Sequence, residues 1–311
     1  MTYLYFYLSI KQILYIICLL YWSIAITIYL GRVYLKSFQD FTSYGKLSSN
    51  LQKNNKKKRI EPSSSSSSLS YYIDREWIET KNGWLTFYLI SMLLSLISIL
   101  GQSNFKYTFG QDEKEGSSSS SLSSSSQQQL YLFYLLMFIQ ASRRLFETLF
   151  VQKHSRSRMN NLLFISGVSY YLFITLSPCF STPYTFNLGS FNFIPFIIFA
   201  IASYSQRQVH IILSNIRNIP SVIITSSSQS MDKHYEIPKG FLFNYISCPH
   251  FLMEIIIYTC FFLIVPSLPF LMALIFTSLN LIHRSIETHR WYQKQFKDYP
   301  KSRKIIVPFI Y

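Results

Sequence analysis

The amino-acid sequence predicts an all-α fold, a polytopic transmembrane bundle of about seven helices, and three observations carry that expectation. Only 14% of the 311 residues are charged while 49% are hydrophobic, whereas soluble domains carry about 25% charge. Seven apolar stretches approach the roughly 20 residues that cross a bilayer. Lysine and arginine crowd into alternate connections between those stretches, which is how membrane topology distributes them. The net charge of +15 therefore reads as an orientation signal and not as a nucleic-acid footprint. The 27 Phe and 24 Tyr suit helices that face lipid and anchor at its interfaces.

The stretches run near 12–30, 84–100, 130–150, 161–176, 191–205, 249–266 and 268–283. The first, closing a segment 1–30, has no small-x-small cleavage site and is long enough to span, so it reads as a helix and not a cleaved leader. Residues 31–83 follow as a cytosolic loop with the basic run Lys53, Lys56, Lys57, Lys58, Arg59 and the serine tract Ser63–Ser68. The second stretch opens the main membrane domain, 84–311. Its first loop, 101–129, holds Ser117–Ser126, interrupted by Leu122, and then Gln127–Gln129. Such tracts bury too little apolar surface to offset chain entropy, so this loop is expected to be disordered. The fourth and fifth stretches are short or polar-ended. Pro266 and Pro269 set a tight turn between the last two, because proline ends or kinks a helix.

Lys and Arg number ten in 31–83, three in 151–160, four in 206–248 and seven from Arg284 onward. They number two in 101–129 and none in 177–190 or 267–268. By the positive-inside rule the N-terminus is lumenal and the C-terminus cytosolic. An odd number of spans satisfies this pattern, seven as counted here, with five also compatible. Cys18, Cys179, Cys248 and Cys260 form neither a CxxC pair nor a disulfide framework.

Ionisable groups inside a membrane cost roughly 2.5–3.5 kcal/mol each, so their clusters are where function is sought. Four clusters lie on the side assigned to the cytosol. In Gln140–Glu147, Arg143 and Glu147 are four apart and can pair along a helix. In Gln206–Arg217, spacings of four and seven put Gln206, His210 and Arg217 on one face. Pro249 marks the first turn of a helix on which His250, Glu254 and Tyr258 form a polar stripe. The tail from Arg284 adds His289, Tyr292, Tyr299, Lys301, Arg303 and Lys304. Together these groups suit a polyanionic ligand. No GxGxxG or Walker motif supports a Rossmann or P-loop domain, and no GxSxG motif supports a hydrolase. His283, Glu287 and His289 make one short cluster, short of the several histidine boxes of a membrane di-iron enzyme, and no metal is expected.

The tail motifs His289-Arg-Trp-Tyr292, Phe296, Tyr299-Pro-Lys-Ser-Arg-Lys304 and Pro308-Phe-Ile-Tyr311 resemble the C-terminal signature of the steroid 5α-reductase family. The block Pro238–Glu254 is similar to a second family block, with His250 where the family usually has Asn. The likeness covers 84–311 in blocks, from Trp84–Tyr88 on, and is dense over 238–311. Ser142–Glu147 and His210–Arg217 resemble the family's polyprenal reductase branch in particular. The resemblance implies NADPH as hydride donor and reduction of polyprenal to dolichal, in dolichol synthesis for N-glycosylation at the endoplasmic reticulum. It implies His289 as essential to reduction, with Tyr292 on the same face. Gln206, His210, Arg217, Tyr245, Glu254 and Arg284 become candidates for holding NADPH. The isoprenoid lipid lies among the helices, and no protein partner or nucleic acid is implied. Two alternatives stay open, the steroid-reducing branch and the isoprenylcysteine-methyltransferase-like group. That second group carries paired glutamates where this chain has Glu287-Thr288-His289.

Overall fold

Every predicted stretch is helical in the computed structural model, which describes residues 2–34, 76–109, 119–153, 157–180, 193–216 and 236–307. The helices are α1 (Thr2–Tyr34), α2 (Thr80–Phe109), α3 (Ser119–Phe146), α4 (Asn161–Leu176), α5 (Ile194–Ile216), α6 (Pro249–Ile264) and α7 (Leu268–Gln295). Among the described residues, five segments are long and apolar enough to cross a membrane: Ile10–Gly31, Thr80–Gln102, Asn161–Cys179, Ile194–Ile216 and Leu268–Gln295. The chain is a multi-pass membrane protein. α6 is a shorter apolar helix of 16 residues, and α3 joins an apolar half to a serine-rich start.

Lipid, not water, explains the outer surface. Ile24, Ile97, Ile165 and Ile201 are 57%, 64%, 62% and 61% exposed. In water such belts mark aggregation or docking sites, but they match an environment as apolar as isoleucine itself.

Several boundaries differ from the sequence expectation. Residues 101–109 and 119–129, read as part of a disordered loop, are helical. Extending a formed helix adds one hydrogen bond per residue fixed, and serine costs only a few tenths of a kcal/mol against alanine. The tract Ser63–Ser68, residues 110–118 between α2 and α3, and the start of the fifth stretch at 191–192 lie outside the described residues. An antiparallel pair of short strands adds to the all-α expectation: β1 (Glu76–Glu79) against β2 (Arg158–Asn160), with Ile78 opposite Met159. Both strands directly precede helices, and pairing satisfies backbone groups at those entries.

The chain divides into two compact units. The first comprises residues 1–145, 154–186 and 264–276. Without a hydrophobic drive between helices in lipid, close packing and hydrogen bonds hold such an assembly. Tyr21 stacks on Phe173 at 3.9 Å, and the fully buried Trp22 donates Nε1–H to Ser177 Oγ at 3.0 Å. Gly167 lets α4 meet α2, because a Cβ there would enter the Phe87 ring. Asn160 starts α4 by accepting from Leu163 N–H at 2.8 Å, an N-cap.

The second unit comprises residues 146–153, 187–263 and 277–311. Phe199 of α5 packs on Phe261 of α6 at 5.6 Å. This unit carries the ionisable residues singled out above on α5, α6, α7 and the tail.

Candidate active site

Two buried polar clusters form in the second unit. The first starts on α5, which turns Gln206 and His210 inward four residues apart, 1% and 6% exposed. At residue 147 the α-helical ladder gives way to a π-helical turn, Glu147–Val151, a distortion frequent at functional sites. Glu147 is fully buried there, with Oε2 2.7 Å from His210 Nδ1. Ser214 Oγ donates to the Val151 carbonyl at 2.5 Å and ties the same turn to α5. From α6, Glu254 Oε2 accepts from Gln206 Nε2, which also donates to the His250 carbonyl at 3.3 Å. The His210 and His250 rings lie 6.2 Å apart. Leaving a buried polar group without its partner costs about 1–3 kcal/mol, so each acid holds its partner in place.

The second cluster depends on a turn and a returning tail. Gly240 has φ +87°, which an L side chain disfavours, and its N–H bonds Asn244 Oδ1 at 2.9 Å. The 3₁₀ turn Phe241–Asn244 then delivers Tyr245-Ile246-Ser247. Lys304 N–H donates to the Tyr245 carbonyl and Ser247 N–H to the Lys304 carbonyl, both at 2.9 Å. These bonds, an isolated parallel bridge between Ile246 and Lys304, bring Tyr299 and Arg303 against α7.

Ser247 Oγ is the meeting point, 2.6 Å from His289 Nδ1, 2.6 Å from Tyr299 OH and 3.0 Å from the Lys304 carbonyl. Tyr292 stacks on Tyr299 with centroids 5.5 Å apart and planes 8° from parallel. The Arg303 guanidinium carbon sits 5.2 Å from the Tyr299 ring centroid, a cation–π contact. Burial pushes the Tyr299 phenol above its usual pKa, against opposing effects of the Ser247 bond and the Arg303 charge, so it keeps its proton at neutral pH. Arg303 is 5% exposed, yet its Nε has no hydrogen-bond partner among the described residues. A buried unsatisfied donor costs about 1–3 kcal/mol or more when charged, and an anionic or carbonyl ligand would relieve it. Only two residues separate Ser247 from His250, so one short segment serves both clusters.

The geometry gathers most of the predicted site. Gln206, His210 and Glu254 meet in the first cluster, and His289 and Tyr292 in the second. Tyr245 takes part through its carbonyl, its ring being 53% exposed. Arg284 is half-buried on α7, five residues before His289. Arg217 lies outside the described residues, as does Pro308–Tyr311. Glu147, Tyr299 and Arg303 stand in the polar clusters read from the sequence but without an assigned role, and Ser247 in none of them. Nothing about Ser247 distinguishes it in sequence from the chain's many other serines; its partners come from α7 and the tail, far along the chain.

Residues 157–311 match the family model described as 3-oxo-5-alpha-steroid 4-dehydrogenase. The chain is 31% identical over 188 residues to a polyprenal reductase of Caenorhabditis elegans, covering 57% of this chain and 59% of that protein. It is 32% identical over 212 residues to polyprenal reductase 1 of Arabidopsis thaliana, covering 57% and 63%. It is also 32% identical over 179 residues to a probable very-long-chain enoyl-CoA reductase of Caenorhabditis elegans, covering 54% and 55%. The match thus spans less than two thirds of the length of each of these relatives.

Proposed function

We propose, from the premise that this chain belongs through residues 157–311 to the 3-oxo-5-alpha-steroid 4-dehydrogenase family, that it reduces the α double bond of polyprenal to give dolichal, with NADPH as hydride donor. The observation that carries the reading is the buried His289–Ser247–Tyr299 group beside Arg303, inside the matched segment of a multi-pass membrane protein. Polyprenal reductases among the relatives support the substrate. The chemistry agrees: an isolated isoprenoid alkene does not accept hydride, whereas conjugation to an aldehyde makes its β-carbon electrophilic.

Bound NADPH supplies the hydride. Arg303, with its buried unpartnered Nε, suits the dinucleotide's anionic or carbonyl groups, and Gln206, His210, Glu254 and Arg284 offer further polar contacts to it, as do Arg217 and Tyr245. A donor must polarise the substrate carbonyl as enolate charge develops, and a proton must then reach the α-carbon. His289 and Tyr292 are the residues assigned to this region. The isoprenoid chain needs only the apolar helix faces. The setting is the endoplasmic reticulum membrane, with the tail cytosolic where NADPH is available, and the product enters dolichol synthesis for protein N-glycosylation.

A second reading follows from the enoyl-CoA reductase relative, since an enoyl thioester is also a conjugated carbonyl. Purified protein in lipid nanodiscs with NADPH, offered polyprenal, a long-chain enoyl-CoA and a 4-ene-3-ketosteroid in separate reactions, tests the choice. Dolichal as the main product supports the proposal, and reduction of the steroid or thioester alone overturns its substrate. Binding of S-adenosylmethionine in place of NADPH would instead favour methyl transfer.

A further inference from the structure

We infer that Ser247 is a positioning residue that holds His289 with a hydrogen on Nδ1, confining proton exchange to Nε2. A serine hydroxyl has one hydrogen to donate and two lone pairs to accept with. Ser247 Oγ has three partners within 3.0 Å. The Lys304 carbonyl can only accept, so the hydroxyl hydrogen goes there. His289 Nδ1 and the Tyr299 hydroxyl must then both donate to Ser247 Oγ. Sending the Ser247 hydrogen to either of them would leave two oxygens facing each other at 3.0 Å with no hydrogen between.

The far edge of the imidazole gives the same answer from a different contact. Gln293 Nε2 lies 2.8 Å from His289 Nε2. An amide nitrogen only donates, so His289 Nε2 accepts. The two contacts share no atom: the Ser247 contact requires a hydrogen on Nδ1, the Gln293 contact requires a lone pair on Nε2, and together they specify the neutral Nδ1–H tautomer.

The hub is built to hold that state. Ser247, His289 and Tyr299 are 2%, 8% and 6% exposed, and the Ser247 backbone is pinned by its N–H bond to Lys304. The raised pKa of the Tyr299 phenol suits its place as a donor. Ser247 accepts from Nδ1–H whether the ring is neutral or protonated. A proton taken from solvent therefore arrives on Nε2, and the same proton leaves from Nε2 toward the substrate's α-carbon, with Nδ1–H unchanged. Until that proton arrives His289 is an acceptor, so the resting imidazole does not polarise a carbonyl. The catalytic part of this inference rests on the proposed reduction; the tautomer does not.

The test uses full-length protein in lipid nanodiscs with ring-¹⁵N histidine, and His289→Asn identifies the His289 signals. The expected wild-type spectrum has Nδ1 protonated and Nε2 bare, Ser247→Ala shifts hydrogen toward Nε2, and Ser247→Thr keeps the wild-type pattern. In parallel, Ser247→Ala lowers kcat about tenfold to a hundredfold, as loss of an orienting partner does, with the KM for NADPH within about twofold of wild type. Ser247→Thr restores kcat. A wild-type spectrum with Nε2 protonated overturns the inference, and so does a Ser247→Ala protein unchanged in both spectrum and kcat. Should the wild-type spectrum hold while no polyprenal is reduced, the tautomer stands and the proposed reaction falls.

Discussion

In the first unit the buried polar side chains are mostly neutral and closed in pairs: Trp22 with Ser177, Ser91 with Thr175 at 3.0 Å, and Tyr134 with the Thr175 carbonyl at 3.2 Å. In the second they are ionisable and linked in groups: Glu147 with His210, Glu254 with Gln206, and His289 and Tyr299 with Ser247. Neutral pairs suffice to lock helices in lipid. Ionisable groups in a membrane are far more costly and are kept where chemistry needs them. The contrast supports the proposed site in the second unit without reference to any relative, and substitutions in each unit should fail in different ways.

The largest effect is expected at the second unit's His289. His289→Ala should lower kcat for polyprenal about a hundredfold to ten-thousandfold, far more than its loss of stability of about 1–3 kcal/mol explains, as read by single-turnover assay beside a melting curve. Next, Glu147→Ala leaves His210 without its carboxylate, and unfolding in mixed micelles should show a loss of about 1–3 kcal/mol; Glu147→Gln should recover much of it. Arg303→Ala should raise the KM for NADPH about tenfold or more, the loss of a charge-assisted contact worth about 1.5–3 kcal/mol.

In the first unit the direction reverses. Gly167→Ala pushes a methyl into the Phe87 ring, which is held by Phe164 and Tyr171 at 5.7 Å each, and should cost about 1–3 kcal/mol of stability. The fraction that remains folded should keep its kcat. Smallest of all, Ile24→Ala on the lipid-facing surface should stay within about 0.5 kcal/mol of wild type by both readouts. A Gly167 variant that is stable but slow, or a His289 variant that keeps its kcat, would break the comparison.

Seven helices were legible because apolar length reports lipid contact directly. Their ends were not. Hydropathy marks where lipid stops, whereas the backbone continues its ladder: α5 runs on to Ile216 and α7 to Gln295, carrying Gln206, His210, Arg284, His289 and Tyr292 on helical extensions. The four-residue spacing of Gln206 and His210 was enough to place them on one face. Ser247 could not be found that way, because its partners sit 42, 52 and 57 residues along the chain and a hydroxyl in a short turn has no periodicity. Spacing did single out Glu147, four residues from Arg143, but not its contact with His210, which comes from a π-helical turn. Arg303 sat in plain view in the tail motif, but only the returning backbone at Lys304 shows what it packs against.

The central claim is that hydride passes to a carbon conjugated with an aldehyde. Incubating the protein with polyprenal and NADPH deuterated at the transferring position of its nicotinamide tests this in one mass spectrum. Dolichal carrying a single deuterium at the β-carbon is the predicted result. Deuterium at the aldehyde carbon, giving an unsaturated alcohol, would contradict it.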